Sequence, residues 1–112
     1  MEGERMKKTK SIVTEYPDLC LICEGCAEEE HHLIFGSGLR PLAEADGIKA
    51  GICRKCHTGS FRAVDRIHDN PAAEKLSRIA GQLAWEKHCV AQGHTEAQAR
   101  QMFRERYGKS YL

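Results

Sequence analysis

Aromatic side chains and long apolar runs are scarce in this sequence. Phe, Tyr and Trp make up 6% of the 112 residues, with a single Trp. No segment approaches the roughly 20 apolar residues that a bilayer span needs, and the first ten residues lack the apolar stretch of a secretory signal. We therefore expect a soluble, intracellular protein of one small domain, whose thin core needs additional support.

A large net charge is also absent. The 17 Lys and Arg residues nearly balance 16 Asp and Glu residues, so the formal net charge is +1. This excludes a histone-like protein that binds nucleic acid through bulk charge. The charges are unevenly placed, however: residues 11–39 contain six acidic residues and no Lys or Arg, whereas residues 40–112 contain 13 basic and eight acidic residues. A phosphate-binding surface is therefore expected in the later part of the chain.

Apolar patterning predicts a basic flexible tail followed by a single domain. Residues 1–14 show no lasting apolar period, so we expect them to be mobile and the domain to span residues 15–112. Two short strands are predicted, at His31–Phe35 and Ile48–Cys53. They suggest an antiparallel hairpin whose long tip, residues 36–47, is a loop.

The remaining segment, residues 71–112, predicts two helices. Asn70 is suited to cap the first, which starts at Pro71 and runs to about residue 91. Thr95 and Gln98 have the spacing of a capping box that starts the second. Trp85 is expected to anchor the helices on the core. The apolar face of the first helix is predicted to comprise Leu76, Ile79, Ala80, Leu83 and, less regularly, Val90.

Two Cys-x2-Cys pairs are the strongest signal in the chain. Cys20 with Cys23, and Cys53 with Cys56, have the spacing of zinc knuckles, and four thiolates complete a closed tetrahedral zinc shell. Their separation of 29 residues leaves room for the hairpin between them. The alternatives are buried thiols, which the paired spacing disfavours, and disulfides, which a reducing compartment disfavours. Cys26 leaves a second pairing open, because Cys23 and Cys26 have the same spacing.

The dipeptide His31-His32 is the second chemical feature. Adjacent residues of a strand point to opposite faces, so one imidazole can bind a metal while the other accepts a proton from water, for which an ordinary histidine pKa near 6.5 is suitable. Taken alone, such a dipeptide is more often an accident of a surface strand. His57 directly follows the second knuckle, so closing a zinc site there would bring it toward the hairpin.

The order of these motifs resembles the HNH (His-Me finger) endonucleases. The resemblance rests on Cys-x2-Cys, then seven residues, then His31–Gly36, a loop, and Ile52–His57. The chain is more narrowly similar to the small phage and prophage nucleases related to the recombination-enhancement, RecA-dependent nuclease. That similarity extends the match to most of residues 18–112, through Gly47-Ile48, Thr58-Gly59, Ile67–Asn70, Gln82–Glu86 and Phe103–Leu112.

The resemblance implies an α+β fold. Its core would be a small zinc-stapled ββα-metal unit, treble-clef-like, within residues 15–70, followed by C-terminal helices in residues 71–112. It also implies that Cys20 pairs with Cys23 in the structural zinc site, rather than Cys26. The middle Asn of the HNH pattern, which orients the general base, has no clear counterpart, and Asp46 is the nearest polar candidate.

For function, the resemblance implies a metal-dependent endonuclease that hydrolyses DNA. His32 would be the general base, and His31, His57 and His68 would bind one catalytic divalent cation. Imidazole ligation suits zinc or nickel better than magnesium, so Mg²⁺, Mn²⁺, Zn²⁺ and Ni²⁺ all stay open. The candidates for phosphate contacts, each equally consistent with a solvated basic face, are Arg54, Lys55, Arg62 and Arg66.

Expected partners and location follow from the same resemblance. The partner would be DNA, with a recombinase–DNA filament as a further candidate, and no membrane. The protein would be phage or prophage encoded and act in the cytoplasm of a bacterial host. The competing hypothesis is a non-catalytic zinc-finger module that binds nucleic acid or protein, in which the histidines have no chemical role.

Overall fold

The computed structural model describes residues 9–112, which form a small α+β protein with one two-stranded sheet. None of the helices in this described part is long and apolar enough to cross a membrane. The regular elements are β1 (Glu29–His32), α1 (Leu39–Asp46), β2 (Lys49–Ile52), α2 (Pro71–Ala91) and α3 (Glu96–Tyr107). Three single helical turns, Lys55–Gly59, Ala63–Asp65 and Ile67–Asp69, connect β2 to α2.

The predicted antiparallel hairpin is confirmed, but its first strand starts earlier than expected. In the observed register His31 lies opposite Ala50 and His32 opposite Lys49. The strand includes Glu29 and ends at His32, whereas Leu33 continues into the core. Pairing with the short β2 limits the strand, although the segment after His32 has the higher β propensity.

The tip of the hairpin is a helix and not the loop that the sequence predicted. The eight residues of α1 lie between Gly38 and Gly47, whose φ angles of 74° and 77° are in the left-handed region that favours glycine. The Gly47 N–H caps the helix by donating to the carbonyls of Ala43 and Glu44. Leu39, Leu42 and Ala43 have helical spacing and pack on the core, but eight residues are too few for this pattern to stand out in the sequence.

The main core lies between the hairpin and the two long helices. Phe103 and Tyr107 of α3 stack at 4.6 Å between ring centroids, and Trp85 of α2 meets the Phe103 ring edge-on at 5.5 Å. Trp85 therefore packs at the junction of the helices, as its anchoring role predicts. The buried residues of this core are Leu33, Ile34, Ala43, Ile48, Ala50, Phe103 and Tyr107.

The buried face of α2 differs from the predicted one. Leu76, Leu83 and Val90 are 65%, 51% and 40% exposed. The residues that α2 buries instead are Ser77, Gly81, Gln82 and Cys89. The buried face of α2 that was predicted from apolar spacing is therefore wrong.

Close packing at Gly81 explains this orientation. A Cβ atom at Gly81 would lie 2.8 Å from a side-chain carbon of Ile34 and 2.9 Å from one of Ile48, so only glycine lets the helix approach the core this closely. The buried polar neighbours are satisfied by hydrogen bonds: the Ser77 hydroxyl donates to the Leu33 carbonyl at 2.8 Å, and the Gln82 side-chain oxygen accepts from a backbone N–H.

Residues 9–14 pack on the domain, so the predicted tail is wrong for this segment. The Ile12 N–H donates to the Gly47 carbonyl at 2.9 Å, and the Ser11 hydroxyl donates to the Lys49 carbonyl. Ile12 and Val13 cover the main core. The rest of the predicted tail, residues 1–8, lies outside the described residues.

Candidate metal centres

The four cysteines of the two predicted pairs meet in one cluster. Their sulfur atoms all lie within 4.8 Å of one another. Sulfurs at the usual Zn–S distance of about 2.3 Å lie about 3.8 Å apart at the corners of a tetrahedron, and Cys23 Sγ is 3.8 Å from Cys53 Sγ. Cys26 is exposed and outside the cluster. The donor set Cys20, Cys23, Cys53 and Cys56 therefore suits a structural metal ion.

The backbone around Cys20 prepares the first half of this cluster. The Cys20 N–H donates to the Gly25 carbonyl at 2.7 Å, which closes the chain into a knuckle. The N–H groups of Ile22 and Cys23 point at Cys20 Sγ from 3.4 and 3.5 Å. Burial by itself raises the pKa of a thiol, but these backbone N–H groups lower that of Cys20 to about 6.

In the second half of the cluster, Cys56 needs a cation for ionisation. Burial and the neighbouring thiols raise the pKa of Cys56. Negative charges that lie this close repel one another, so four thiolates coexist when a divalent cation neutralises them. The fit of the site to a metal is thus chemical as well as geometric.

A second cluster combines three of the predicted histidines. His31 comes from β1, His57 from the turn Lys55–Gly59 and His68 from the turn Ile67–Asp69. Their ring centroids are 4.9 to 5.4 Å apart, and one ligand atom of each lies within 4.8 Å of the others. The structure therefore brings together the three residues for which the sequence predicted a shared cation.

Each of these imidazoles has one nitrogen held by an outer partner. The pairs are His31 Nε2 with the Ser77 hydroxyl at 2.9 Å, His57 Nδ1 with Glu29 at 2.8 Å, and His68 Nδ1 with Glu74 at 3.1 Å. Metal-binding histidines are oriented in this way by a hydrogen bond on the ring nitrogen that does not coordinate. The other nitrogen of each ring is left for the centre of the cluster.

His31 presents a nitrogen to the centre of the histidine cluster that could bind a ligand. Its Nδ1 is buried and has no hydrogen-bond partner among the described residues. Burial, followed by the charges of His68 and His57, lowers the pKa of His31 to about 3. The ring is therefore neutral at pH 7, which is the form that binds a metal.

His32 points to the opposite face of β1 and joins a different network. Its Nε2 is 2.8 Å from one carboxylate oxygen of Glu44, while Lys49 Nζ is 2.8 Å from the other. The hydrogen bond from Lys49, together with that from His32, holds the pKa of Glu44 well below its usual range. His32 thus faces a carboxylate that stays charged at neutral pH.

Asp46 does not take the orienting role considered for it. Its carboxylate accepts two hydrogen bonds from Arg106, at 2.6 and 2.8 Å, one from Trp85 and one from Tyr107. It therefore connects α1 to α2 and α3. The residue of α1 that contacts His32 is Glu44, two positions earlier in the chain. Asp46 has a structural function in the packing of the helices.

The four basic residues proposed for phosphate contacts lie near the clusters, but three of them face acids. Arg54 is 3.7 Å from Glu29. Arg62 and Arg66 are 3.8 and 2.6 Å from carboxylates of their own turns, Asp65 and Asp69. Lys55 is exposed, and no ion pair involves it within the described part of the chain. Their contact with nucleic acid stays a prediction.

The sequence reasoning missed the residues that orient the histidines. Glu29 precedes His31 by two residues, so strand alternation places both on one face of β1 and was an available signal. Glu74 lies in the first turn of α2, as the cap at Asn70 already indicated. For Ser77 and Glu44 no local pattern points to a role, because their partners are 46 and 12 residues away in the chain.

Comparison of the chain with protein-family models, with curated proteins and with solved structures finds no match. Within residues 9–112, the observed geometry defines a small α+β protein with a cluster of four cysteines and a cluster of three histidines, each of which could hold a metal ion.

Proposed function

We propose that this protein is a metal-dependent endonuclease of HNH type that hydrolyses phosphodiester bonds in DNA. The observation that carries the proposal is the unpartnered, buried Nδ1 of His31 in a cluster whose other members, His57 and His68, are oriented by carboxylates. A fourth imidazole, His32, follows in the same strand and is held by Glu44. The strand therefore carries a cation ligand and, at the next residue of the chain, an imidazole that can act as a base.

The role of His32 in this proposal is to accept a proton from the attacking water. When Nε2–H donates to the charged Glu44 carboxylate, the lone pair remains on Nδ1, and in the described structure no protein group hydrogen-bonds to that atom. Glu44 also stabilises the imidazolium that forms when the proton arrives. A divalent cation at His31, His57 and His68 would neutralise charge on the scissile phosphate and on the leaving oxygen.

In the proposed ββα-metal core, zinc at the four cysteines holds the two ends of the hairpin. Cys20 and Cys23 precede β1, and Cys53 and Cys56 follow β2. His57 is the residue after Cys56, so a bound ion would restrain its position against His31. The structural centre would thereby support the geometry of the catalytic one.

A second candidate function, a zinc-binding module without catalysis, is favoured by the surface beside the cysteines. Ile22 and Val64 are 54% and 58% exposed and line a groove next to Cys53. Phe61 nearby in the chain is 94% exposed. Exposed apolar groups of this kind mark contact surfaces. A module of this type would show no metal-dependent cleavage, which separates the two functions.

The test of the nuclease proposal is nicking of supercoiled plasmid by zinc-loaded protein, with added Mn²⁺, Ni²⁺ or Mg²⁺. We expect cleavage and binding of one cation beyond the cysteine-bound zinc. Loss of an outer-shell partner costs roughly ten- to a hundredfold in metal affinity, so His68→Ala, which removes one of three direct ligands, should lower the affinity for the second cation by roughly a hundredfold or more, measured by calorimetry. The matched control is His94→Ala, which alters an exposed histidine between α2 and α3. Wild-type protein that binds no second cation would contradict the proposal.

A separate prediction concerns Glu44 as a positioning residue for His32. Glu44→Gln keeps the shape of the side chain but removes the charge, so we expect kcat for nicking to fall by roughly ten- to a hundredfold. KM and cation affinity should not change, because Glu44 lies on the face of β1 away from His31. The matched control is Asp46→Asn on the same helix, which should lower the melting temperature and leave kcat unaltered. An unchanged kcat in Glu44→Gln would refute the role.

A further inference from the structure

We infer that Lys75, Arg78 and Lys109 form a phosphate-binding surface for a nucleic-acid strand next to the histidine cluster. The nature of the ligand rests on the proposed nuclease function. This surface is distinct from the one formed by Arg54, Lys55, Arg62 and Arg66, and it is built from α2 and the segment after α3. It would guide the strand along α2 toward the end of the chain.

The three basic side chains share one depression. Lys75 and Arg78 are three residues apart on α2 and therefore on the same side of the helix. Lys109 lies over the ring of Tyr111, with Nζ 5.3 Å from the ring centroid. The Tyr111 N–H donates to Gln82 of α2 at 2.7 Å, which holds this segment against the helix. The depression has a volume of about 340 Å³ and is lined by Lys75, Arg78, Lys109, Ser110, Tyr111 and Leu112.

These charges are not neutralised within the described part of the chain. No carboxylate there forms an ion pair with Lys75, Arg78 or Lys109, in contrast to the acids beside Arg62 and Arg66. Lys75 and Lys109 are exposed. Adjacent cations without counter-charges create a positive potential, which a phosphate backbone relieves by displacing mobile ions.

Arg78 connects this surface to the histidines. Its guanidinium carbon lies 4.1 Å from the centroid of the Phe35 ring. The same ring contacts His68 edge-on at 4.7 Å and His31 at 5.7 Å. A single aromatic ring therefore separates the guanidinium from the cation site. Stacking on Phe35 fixes the guanidinium plane without cancelling its charge, so its N–H groups stay available to a phosphate.

The geometry favours a strand over a free phosphate. The surface extends from Arg78, beside the cluster, to Lys109 on a different element, whereas one phosphate ion is bound by groups that converge on a single point. A backbone that places one phosphate at the histidines would present its neighbours to Arg78 and then to the lysines. Contacts of this kind position a substrate without reading its sequence.

The test uses binding of a fluorescein-labelled 20-base-pair duplex, measured by anisotropy without added divalent cation. The zinc-loaded protein carries His32→Ala throughout, so that no cleavage occurs. Adding Arg78→Gln and Lys109→Gln should raise the Kd for the duplex by roughly tenfold or more at moderate salt. It should also reduce the slope of log Kd against log salt by about two, since each lost phosphate contact contributes about 0.9.

The matched control removes two charges elsewhere, with Lys10→Gln and Lys87→Gln, which line a groove beside residues 9–14. It should change Kd less than about twofold. Equal weakening by both pairs, unchanged binding in the first pair, or no duplex binding by the parent protein would each overturn the inference.

The nicking assay, together with duplex binding, distinguishes failure of the phosphate-binding surface from failure of the nuclease proposal. If wild-type protein nicks plasmid, and the variant with Arg78→Gln and Lys109→Gln binds duplex and nicks plasmid equally well, the proposed phosphate-binding surface is wrong and the nuclease proposal stands. If wild-type protein cuts no DNA, but the variant with Arg78→Gln and Lys109→Gln loses duplex binding and the control variant does not, the phosphate-binding surface stands and the nuclease proposal fails.

Discussion

Replacing His32 with alanine is expected to lower metal-dependent plasmid nicking by roughly a thousandfold. A positioned general base contributes about a hundred- to ten-thousandfold to a reaction rate, and His32 is the imidazole whose tautomer Glu44 controls. His31, on the other face of β1, would keep its contacts to Ser77 and to the cation. Calorimetry should therefore find both metal centres of the variant filled.

The comparison that makes this result specific is His88→Ala, which removes an exposed histidine from the last turn of α2. This variant should nick plasmid at the wild-type rate. Two findings would be incompatible with His32 as the base: nicking by His32→Ala within a few-fold of wild type, or loss of the second cation from that variant, which would make His32 a ligand.

Loss of the cysteine-bound ion is expected to unfold the region around the hairpin before the helices melt. Structural zinc contributes about 10–16 kcal/mol of apparent binding free energy in small domains, whereas whole domains are stable by only about 5–15 kcal/mol. The core beneath the cysteines is small, since among residues 9–112 its buried members are Ile52, Ile67 and Cys20. We therefore expect Cys56→Ser, or a strong chelator, to unfold the region of residues 18–57.

The measurement is hydrogen exchange together with circular dichroism, on protein with and without chelator. Amide protection should disappear in β1 and β2 at a chelator concentration at which α2 and α3 remain helical. Cys26→Ser is the matched control, because this exposed cysteine lies in the same loop but outside the cluster. A melting curve that chelation leaves unchanged, or equal destabilisation by Cys26→Ser, would contradict a structural metal at these cysteines.

The ends of the long helices could be predicted because their signals are local. The Asn70 side chain accepts from the Ala73 N–H, and Thr95 and Gln98 form the predicted capping box. These bonds join residues three apart in the chain, so their geometry depends little on the rest of the fold. The same holds for the cysteine spacing, which sets the shape of each knuckle.

The site itself was only partly predictable. The resemblance to a known family implied that His31, His57 and His68 share a cation, and the structure brings them together. The sequence did not indicate Ser77, which lies on a helix whose apolar spacing pointed to another face. Nor did it indicate Glu44, since the eight-residue helix that contains it was predicted as a loop.

The sequence by itself therefore determined the hairpin, the ends of the long helices and the spacing within each Cys-x2-Cys pair, because each depends on a few neighbouring residues. Only the tertiary structure decided which face of α2 is buried and which groups orient each imidazole. Both depend on the close approach of α2 to the hairpin at Gly81 and on contacts between residues far apart in the chain. Spacing along the chain does not encode such contacts, since packing and hydrogen bonding in three dimensions select them.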